Sequence, residues 1–306
     1  MSSTAVREAS AAATDFSAHA CYHSPTNGFA FRWPDVPIRQ FVAEKLRAYD
    51  AFCPTSAIAL DSADVLGTPY PATTPTLLLR YLRLRAGERL TTRWVASSEV
   101  YYVLRGAGQS DCGGDSIRWR TGDVFCFPGA GKTEHRSLGE DCLLFACSDE
   151  PLLAYMHLLP PPQSQAGFRT TYWPANEIER RFQSDVWVHS IDKFETGQAV
   201  QFSSQTLAPS TNTTPTVNAA INTLVVGGDQ PPHRHNGVAV TLALQGERVY
   251  SQIDDTRVDW IDGVAQITPA TRVHSHHNRG SQHARSIIFQ DEALHYYTRT
   301  PGFSLV

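Results

Sequence analysis

Two short stretches near the end of this chain place histidines at spacings that can hold a metal ion. One carries Gly227, His233 and His235, with Gly246 further on. The other carries Gly263, Pro269, His274, His276, His277 and Asn278. Side chains on a strand alternate faces, so His233 and His235 at i and i+2 point the same way. His274 comes from a second strand that must lie opposite. Three neutral imidazoles suit Fe, Cu, Ni or Zn and leave up to three positions of a six-coordinate ion open. An open face is what a chelating substrate and dioxygen together would need. His276 shares parity with His274 and is the candidate catalytic group. His277, one residue on, is expected to face outward. His283 and His295 read as ordinary core or surface residues.

These residues sit in one half of an internal repeat. Gly87 and Gly106 recur as Gly227 and Gly246, 140 residues later. Trp119, Gly122 and Pro128 recur as Trp260, Gly263 and Pro269, 141 residues later. Both copies read as short runs rich in β-branched and aromatic residues, separated by Gly, Pro, Asp and Asn. The pattern predicts an all-β, mainly antiparallel fold of two tandem jelly-roll barrels, with short N-terminal and linker helices. Carried back through the repeat, the ligand positions become Arg93, Val95 and Thr133, none of which replaces an imidazole. His135 stands where His276 does, and Glu99 reads as structural. The first barrel is therefore expected to be a scaffold that has lost its metal site.

The histidine stretches resemble the two sequence motifs of the cupin superfamily, G-x5-H-x-H and G-x5-P-x-G-x2-H-x3-N. Thr271 stands at the second motif's usual Gly, and the apolar Ala239 and Val240 stand where an acidic ligand would be. The two-barrel arrangement is similar to that of the bicupin ring-cleaving dioxygenases acting on gentisate, salicylate and related hydroxy-aromatic acids. What carries this is His233-Arg234-His235-Asn236 together with the stretch His274 to Asn278. The resemblance implies Fe(II) held by His233, His235 and His274, with O2 and a small aromatic acid as co-substrates. His276 falls on the family histidine that contacts substrate or oxygen, and a homo-oligomer is implied. The family arginine that grips the substrate carboxylate falls on Thr241, leaving Arg272 or Arg234 as replacements. Another divalent metal (Zn, Mn or Ni) would instead fit an isomerase, decarboxylase, hydrolase or lyase. A non-catalytic small-ligand binder is the third reading.

Inward parity past His235 predicts Gly237, Ala239, Thr241 and Ala243 inside the barrel. Such small residues leave room for an aromatic ring, or else for large side chains from the opposite sheet. Trp260, Tyr250 and Gln252 are candidates for walls. The expected organisation is an N-terminal arm and helix over 1–76 packing on the barrels, a barrel over 77–150, a linker over 151–205 with a helix capped near Asn176, and the metal-binding barrel over 206–306.

The 306 residues carry 26 Lys+Arg against 30 Asp+Glu, a net charge of -4. That leaves no basic excess for a nucleic-acid backbone. No apolar run reaches the roughly 18 residues of a membrane span. The first residues lack the apolar core of a secretory signal, so a cytoplasmic protein is expected. Six cysteines without CxxC spacing read as packed free thiols.

Overall fold

The computed structural model describes residues 16–129, 131–183 and 198–306. The start of the arm and the linker over 184–197 lie outside them. The described chain forms two units, one up to Pro34 and one over Asp35–Val306. The first holds a 3-10 turn and α1 (Pro25–Ala30), whose Asn27 N–H is capped by Ser24 Oγ at 3.2 Å.

The second unit contains both barrels. After α2 (Val42–Tyr49), β1 (Ser56–Ala59) and α3 (Ala63–Leu66) come the strands β2 (Leu78–Leu84), β3 (Arg89–Thr92), β4 (Ser98–Arg105), β5 (Ala107–Cys112), β6 (Asp115–Arg120), β7 (Val124–Pro128), β8 (Thr133–Ser137) and β9 (Cys142–Ser148). Helix α4 (Glu150–Met156), β10 (Thr171–Trp173) and α5 (Ala175–Phe182) follow. The second copy is β11 (Gln198–Phe202), β12 (Asn218–Leu224), β13 (His233–Arg234), β14 (Ala239–Gln245), β15 (Val249–Ile253), β16 (Thr256–Asp259), β17 (Ala265–Thr268), β18 (His274–Asn278), β19 (Ala284–Gln290), α6 (Glu292–Thr298) and β20 (Ser304–Leu305).

The tandem all-β expectation is met. The first barrel pairs a sheet ordered β1-β2-β9-β4-β7-β10 with one ordered β3-β8-β5-β6. The second pairs β11-β12-β19-β14-β17 with β16-β15-β18-β13-β20. The repeat extends beyond the glycine and tryptophan landmarks. The Thr73-Thr74-Pro75-Thr76 turn before β2 recurs as Thr213-Thr214-Pro215-Thr216 before β12. Thr73 and Thr213 each donate to the carbonyl of the preceding segment, at Leu60 and Phe202, and each accepts the N–H of the following strand. Each barrel's last long strand also runs into a short helix, α4 or α6.

The larger sheet of each barrel is buried on both faces. Its outer face belongs to a core shared between the barrels, where Leu79, Tyr81 and Phe145 cluster with Ile221, Ile287 and Phe289. The Phe145 and Phe289 rings lie 5.9 Å apart, and Tyr81 Oη donates to the Gly263 carbonyl at 2.6 Å. Double burial shows in β2 and β9, which are buried at every position, Arg80 and Arg83 of β2 included, while the edge strand β6 alternates. The inner face of the first barrel is closed by Leu82, Tyr101, Phe125, Phe127 and Leu144. The repeat turns those five positions into Asn222, Thr241, Gln266, Thr268 and Ser286. Each fully buried Phe or Leu contributes about 1.5–3 kcal/mol, so the second barrel forgoes apolar filling and keeps an interior.

Two reciprocal contacts hold the barrels in register. Thr76, leading into the first barrel, donates to Asp291 at the end of the second at 2.6 Å. Thr216, leading into the second, donates to Asp149 at the end of the first at 2.9 Å. The buried Asp149 carboxylate also accepts the N–H groups of Ser97 and Ser98 at 2.7 and 3.3 Å.

Several elements differ from the expected organisation. Thr92 pairs with Thr133 as His233 pairs with His274. The first barrel's counterparts of His233 and His235 are therefore the buried Thr92 and Trp94 and not Arg93 and Val95, because the register slips by one residue between the copies. Residues 39–41 of the arm pair with β17 of the second barrel, and β1 joins the first barrel's sheet. Strand β10, inside the expected linker, pairs with β7. The expected linker opens on a further helix, α4. Helix α5 begins after Pro174 instead of at Asn176, because its first N–H, that of Ala175, is capped from outside by Asp123 Oδ1 at 2.7 Å. Five of the six cysteines are buried free thiols, and Cys21 is exposed.

Asp149→Ala should strand several buried donors at the junction and cost about 2–4 kcal/mol. A lowered denaturation midpoint with unchanged metal uptake is the expected result; an unchanged midpoint would show that the reciprocal contact carries no stability.

Candidate metal centre

His233 on β13 pairs directly with His274 on β18, and β13 is flanked on its other side by β20. His235 follows two residues later on the same face. The ring centroids of His233 and His274 are 4.2 Å apart, and those of His235 and His274 4.9 Å. One nitrogen from each of the three buried rings lies within 4.8 Å of the others.

Backbone carbonyls fix the tautomers. His233 Nδ1 meets the Pro231 carbonyl at 2.8 Å, His235 Nδ1 that of Gly237 at 2.7 Å, and His274 Nδ1 that of Arg272 at 2.9 Å. A carbonyl oxygen only accepts, so each Nδ1 carries the proton and each Nε2 keeps a lone pair for a metal. Burial pushes the imidazoles below their usual range, His235 to about 4 and His274 to about 3, and His233 moves the same way. The site is therefore neutral at pH 7 and ready to bind a cation. This convergent donor set fits a divalent transition metal with open positions.

The turn between the motifs explains one of the sequence departures. Thr271 adopts φ 65°, the left-handed conformation that glycine at this place would reach freely, and its N–H bonds the His235 carbonyl at 2.7 Å. The threonine accepts strain of about 1–2 kcal/mol to keep the turn against the ligand strand.

His276 is the opposite tautomer. Gln40 Nε2 donates to the Asp259 carbonyl at 2.7 Å, which sets the orientation of that amide. It also reaches Gln266 Oε1 at 3.4 Å, which turns Gln266 Nε2 toward Ser251 Oγ at 2.7 Å. Trp260 Nε1 donates to the same oxygen at 2.8 Å. With both lone pairs taken, the Ser251 hydroxyl must donate to His276 Nδ1, 2.8 Å away. The His276 proton then sits on Nε2, and the ring lines the cavity. Burial, followed by the neighbouring imidazoles, drives its pKa far down, so it is a neutral donor. The first barrel repeats Trp119, Ser110 and His135 with the same bonds, but Phe125 stands at the place of Gln266. Part of the His276 setting is thus inherited framework, and the Gln266 contact is particular to this barrel.

The histidines open on a cavity of about 250 Å³. A cavity of roughly 150 Å³ can hold benzene, so a substituted ring has room. Ala239 and Thr241 line it, in keeping with the inward parity, and Phe303 next to β20 closes one side, its ring 5.5 Å from that of His233. His277 faces away: it bonds Asp229 at 2.6 Å and stacks on Tyr250.

Three of the expected substrate contacts need correction. Arg272 is half exposed and pairs with Asp254 at 3.1 Å, while Arg234 is exposed and bonds Ser304 at 3.3 Å. Neither lines the cavity. Arg234 lies between His233 and His235, so the alternation that turns those histidines in turns it out. Arg272 precedes β18 and follows the left-handed Thr271, where strand alternation does not hold. Trp260 sits behind His276, its N–H spent on Ser251. No Lys or Arg lines the cavity among the described residues. Sequence reasoning missed Asn218, Asn222, Gln230, Gln290 and Glu292, which do. The repeat carried a usable signal, since α6 copies α4 and Glu292 copies Glu150.

Replacing His233, His235 or His274 by Ala should abolish metal uptake while leaving the fold; a variant that keeps full metal content would refute the assignment. Metal-free protein should lose stability as pH falls below about 6.5. The unfolded chain takes up protons near that value, whereas the buried rings resist until about 4 at His235 and about 3 at His274 and His135. The unfolded state then binds more protons, so stability drops with pH. A Tm that is flat between pH 7.5 and 5 would contradict this.

Residues 220–289 match the family model described as cupin domain. A 5-aminosalicylate 1,2-dioxygenase from Comamonas sp is 38% identical over 81 residues, which are 26% of this chain and 22% of that protein's length. The match therefore spans about a fifth of that relative. The crystal structure of salicylate 1,2-dioxygenase from Pseudaminobacter salicylatoxidans superimposes with a TM-score of 0.76 at 13% identity, covering 95% of this chain and 96% of that one. The gentisate adduct of the same enzyme gives a TM-score of 0.74 at 12% identity, over 95% and 92%. Residues 220–289 thus carry a cupin domain, and the chain as a whole shares the two-barrel fold of salicylate 1,2-dioxygenase.

Proposed function

We propose that this protein is a non-haem Fe(II) dioxygenase that opens the ring of a small hydroxylated aromatic acid, or a related chelating compound, with O2. The observation that carries the reading is the convergence of three Nε2 lone pairs at the base of a cavity sized for one substituted ring. Its setting in a bicupin fold shared with salicylate 1,2-dioxygenase supports it. His233, His235 and His274 would hold the iron. Bound there, it would supply the redox centre through which O2 reacts with an aromatic ring. Overall, one ring carbon–carbon bond breaks and both oxygen atoms enter the product, so no external reductant is consumed.

The residues around the metal have separable tasks. His276 holds its Nε2 proton toward the cavity and donates to an oxygen of the bound substrate or of O2. Thr241, Asn218 and Asn222 offer neutral hydrogen-bonding groups from the sheet wall. Without a lining guanidinium, the substrate carboxylate is met by the metal and by amide N–H groups, in place of the bidentate fork an arginine provides. The first barrel acts as the scaffold against which the metal barrel packs.

Protein loaded with Fe(II) under argon and then exposed to oxygen with hydroxylated benzoates should consume one O2 per substrate with loss of aromatic absorbance. Iron-loaded protein that consumes none with any of them would remove the dioxygenase reading in favour of non-redox metal chemistry. His276→Ala should retain iron and lower kcat by about 10²-fold. Wild-type turnover in that variant would reduce His276 to the structural part its twin His135 plays.

A further inference from the structure

The smaller sheet of the metal barrel has one strand more than its twin. In the first barrel the order is β3-β8-β5-β6, and among the described residues β3 is an edge. In the second, β13 occupies the place of β3, and β20 is added on its far side. The strap that carries β20, residues 300–306, is fastened on both sides of the ligand pair. Val306 N–H donates to the Pro232 carbonyl at 3.0 Å, just before His233. Asn236, just after His235, donates from its backbone N–H to the Pro301 carbonyl at 3.1 Å and from its side-chain amide to that of Thr300 at 2.8 Å. Gly302, at φ 63°, lies so close that a Cβ there would fall 2.5 Å from the Asn236 amide carbon.

Register fixes which side chains of the strap face the site. Leu305 pairs with His233 and Ser304 with Arg234. Directly paired residues share a face, so Ser304 points outward with Arg234, whose Nε donates to its Oγ at 3.3 Å. Phe303, two residues before Leu305, returns to the inner face beside His233, with the rings 5.5 Å apart.

The interior has otherwise lost its aromatic surface. Tyr101, Phe125 and Phe127, which fill the first barrel, correspond to Thr241, Gln266 and Thr268. Besides the histidines, the aromatic residues that line the cavity among those described are Tyr296 and Phe303, both beyond β19. Phe303 is half exposed, so its ring stands at the mouth and keeps apolar surface that a bound ring would cover.

We propose that Phe303 is a specificity-determining residue: held against the ligand strand by the strap, it packs on the ring of the metal-chelated substrate and limits how far that ring system extends. The inference rests on the dioxygenase reading and deepens it by adding selection for ring size.

Calorimetry of iron-loaded protein under argon tests this without turnover. The probes are 2-hydroxybenzoate and 1-hydroxy-2-naphthoate, 2-hydroxy-1-naphthoate and 3-hydroxy-2-naphthoate, which keep the chelating pair and add a second ring on different edges. Phe303→Ala leaves the backbone bonds of the strap in place, so iron content should not change. The variant should bind 2-hydroxybenzoate roughly tenfold more weakly, the loss expected of one ring–ring contact. Relative to 2-hydroxybenzoate, at least one naphthoate should gain by roughly tenfold or more. Phe303→Trp should move that ratio the other way. A common change for all the compounds, or none, in both variants would overturn the selection while sparing the dioxygenase reading. Loss of iron from Phe303→Ala would do the same, by making the ring a prop for the ligand strand. Failure of every compound to bind the wild type would overturn both.

Discussion

The outer faces of the two larger sheets pack against each other, and this contact frees the inside of the second barrel from carrying the fold. Leu79, Tyr81 and Phe145 meet Ile221, Ile287 and Phe289 in one continuous core. Because that core is anchored from outside each barrel, the inner faces can diverge. In the first barrel they close on Tyr101, Phe125 and Phe127. In the second the same positions carry Thr241, Gln266 and Thr268, and a polar cavity results. A lone barrel with so polar an interior would have far less apolar surface to bury. The filled barrel and the reciprocal threonine–aspartate contacts let its twin stay open.

Within that cavity the chemistry depends on where protons sit, and backbone carbonyls decide it. Three of them hold the protons of the ligand histidines on Nδ1 and leave the metal-facing nitrogens unprotonated, that of His235 with the Gln290 amide 3.3 Å away. A fourth, at Asp259, acts through Gln40, Gln266 and Ser251 to put the opposite proton on His276. Four histidines on neighbouring strands thereby become three lone-pair donors and one N–H donor. Burial keeps all four neutral, so the difference between them is one of tautomer and not of charge.

The duplication also shows how a scaffold and a site diverge from one design. The Ser–His–Trp arrangement persists in both barrels, which marks it as part of the common framework. What distinguishes the metal barrel is a set of exchanges around it. Phe125 gives way to Gln266, and Arg80 to Ala220, while the acidic residue opposite is retained in Glu292. A strand at residues 304–305 pairs with β13, and the adjacent Phe303 walls the cavity.

What the sequence determined by itself follows from local geometry. Strand alternation placed His233 with His235 and His274 with His276, and put Ala239 and Thr241 inside and His277 outside. Five matched landmarks exposed the duplication, and the lost histidines of the first copy located the candidate metal centre in the second. The tertiary structure alone decided the rest. Alternation also turns Arg234 away from the cavity, but its partner Ser304 comes from another segment. The outward path of Arg272, in the turn before β18, is set by Asp254. Trp260 went to Ser251, Gln40 reached across more than two hundred residues to Gln266, and Glu292 arrived on a helix beyond the last long strand. Each of these depends on which strands pair and in what register. Such long-range contacts are set by the packing of whole sheets, whereas the spacing of ligands along one strand is set by the pleat of the backbone.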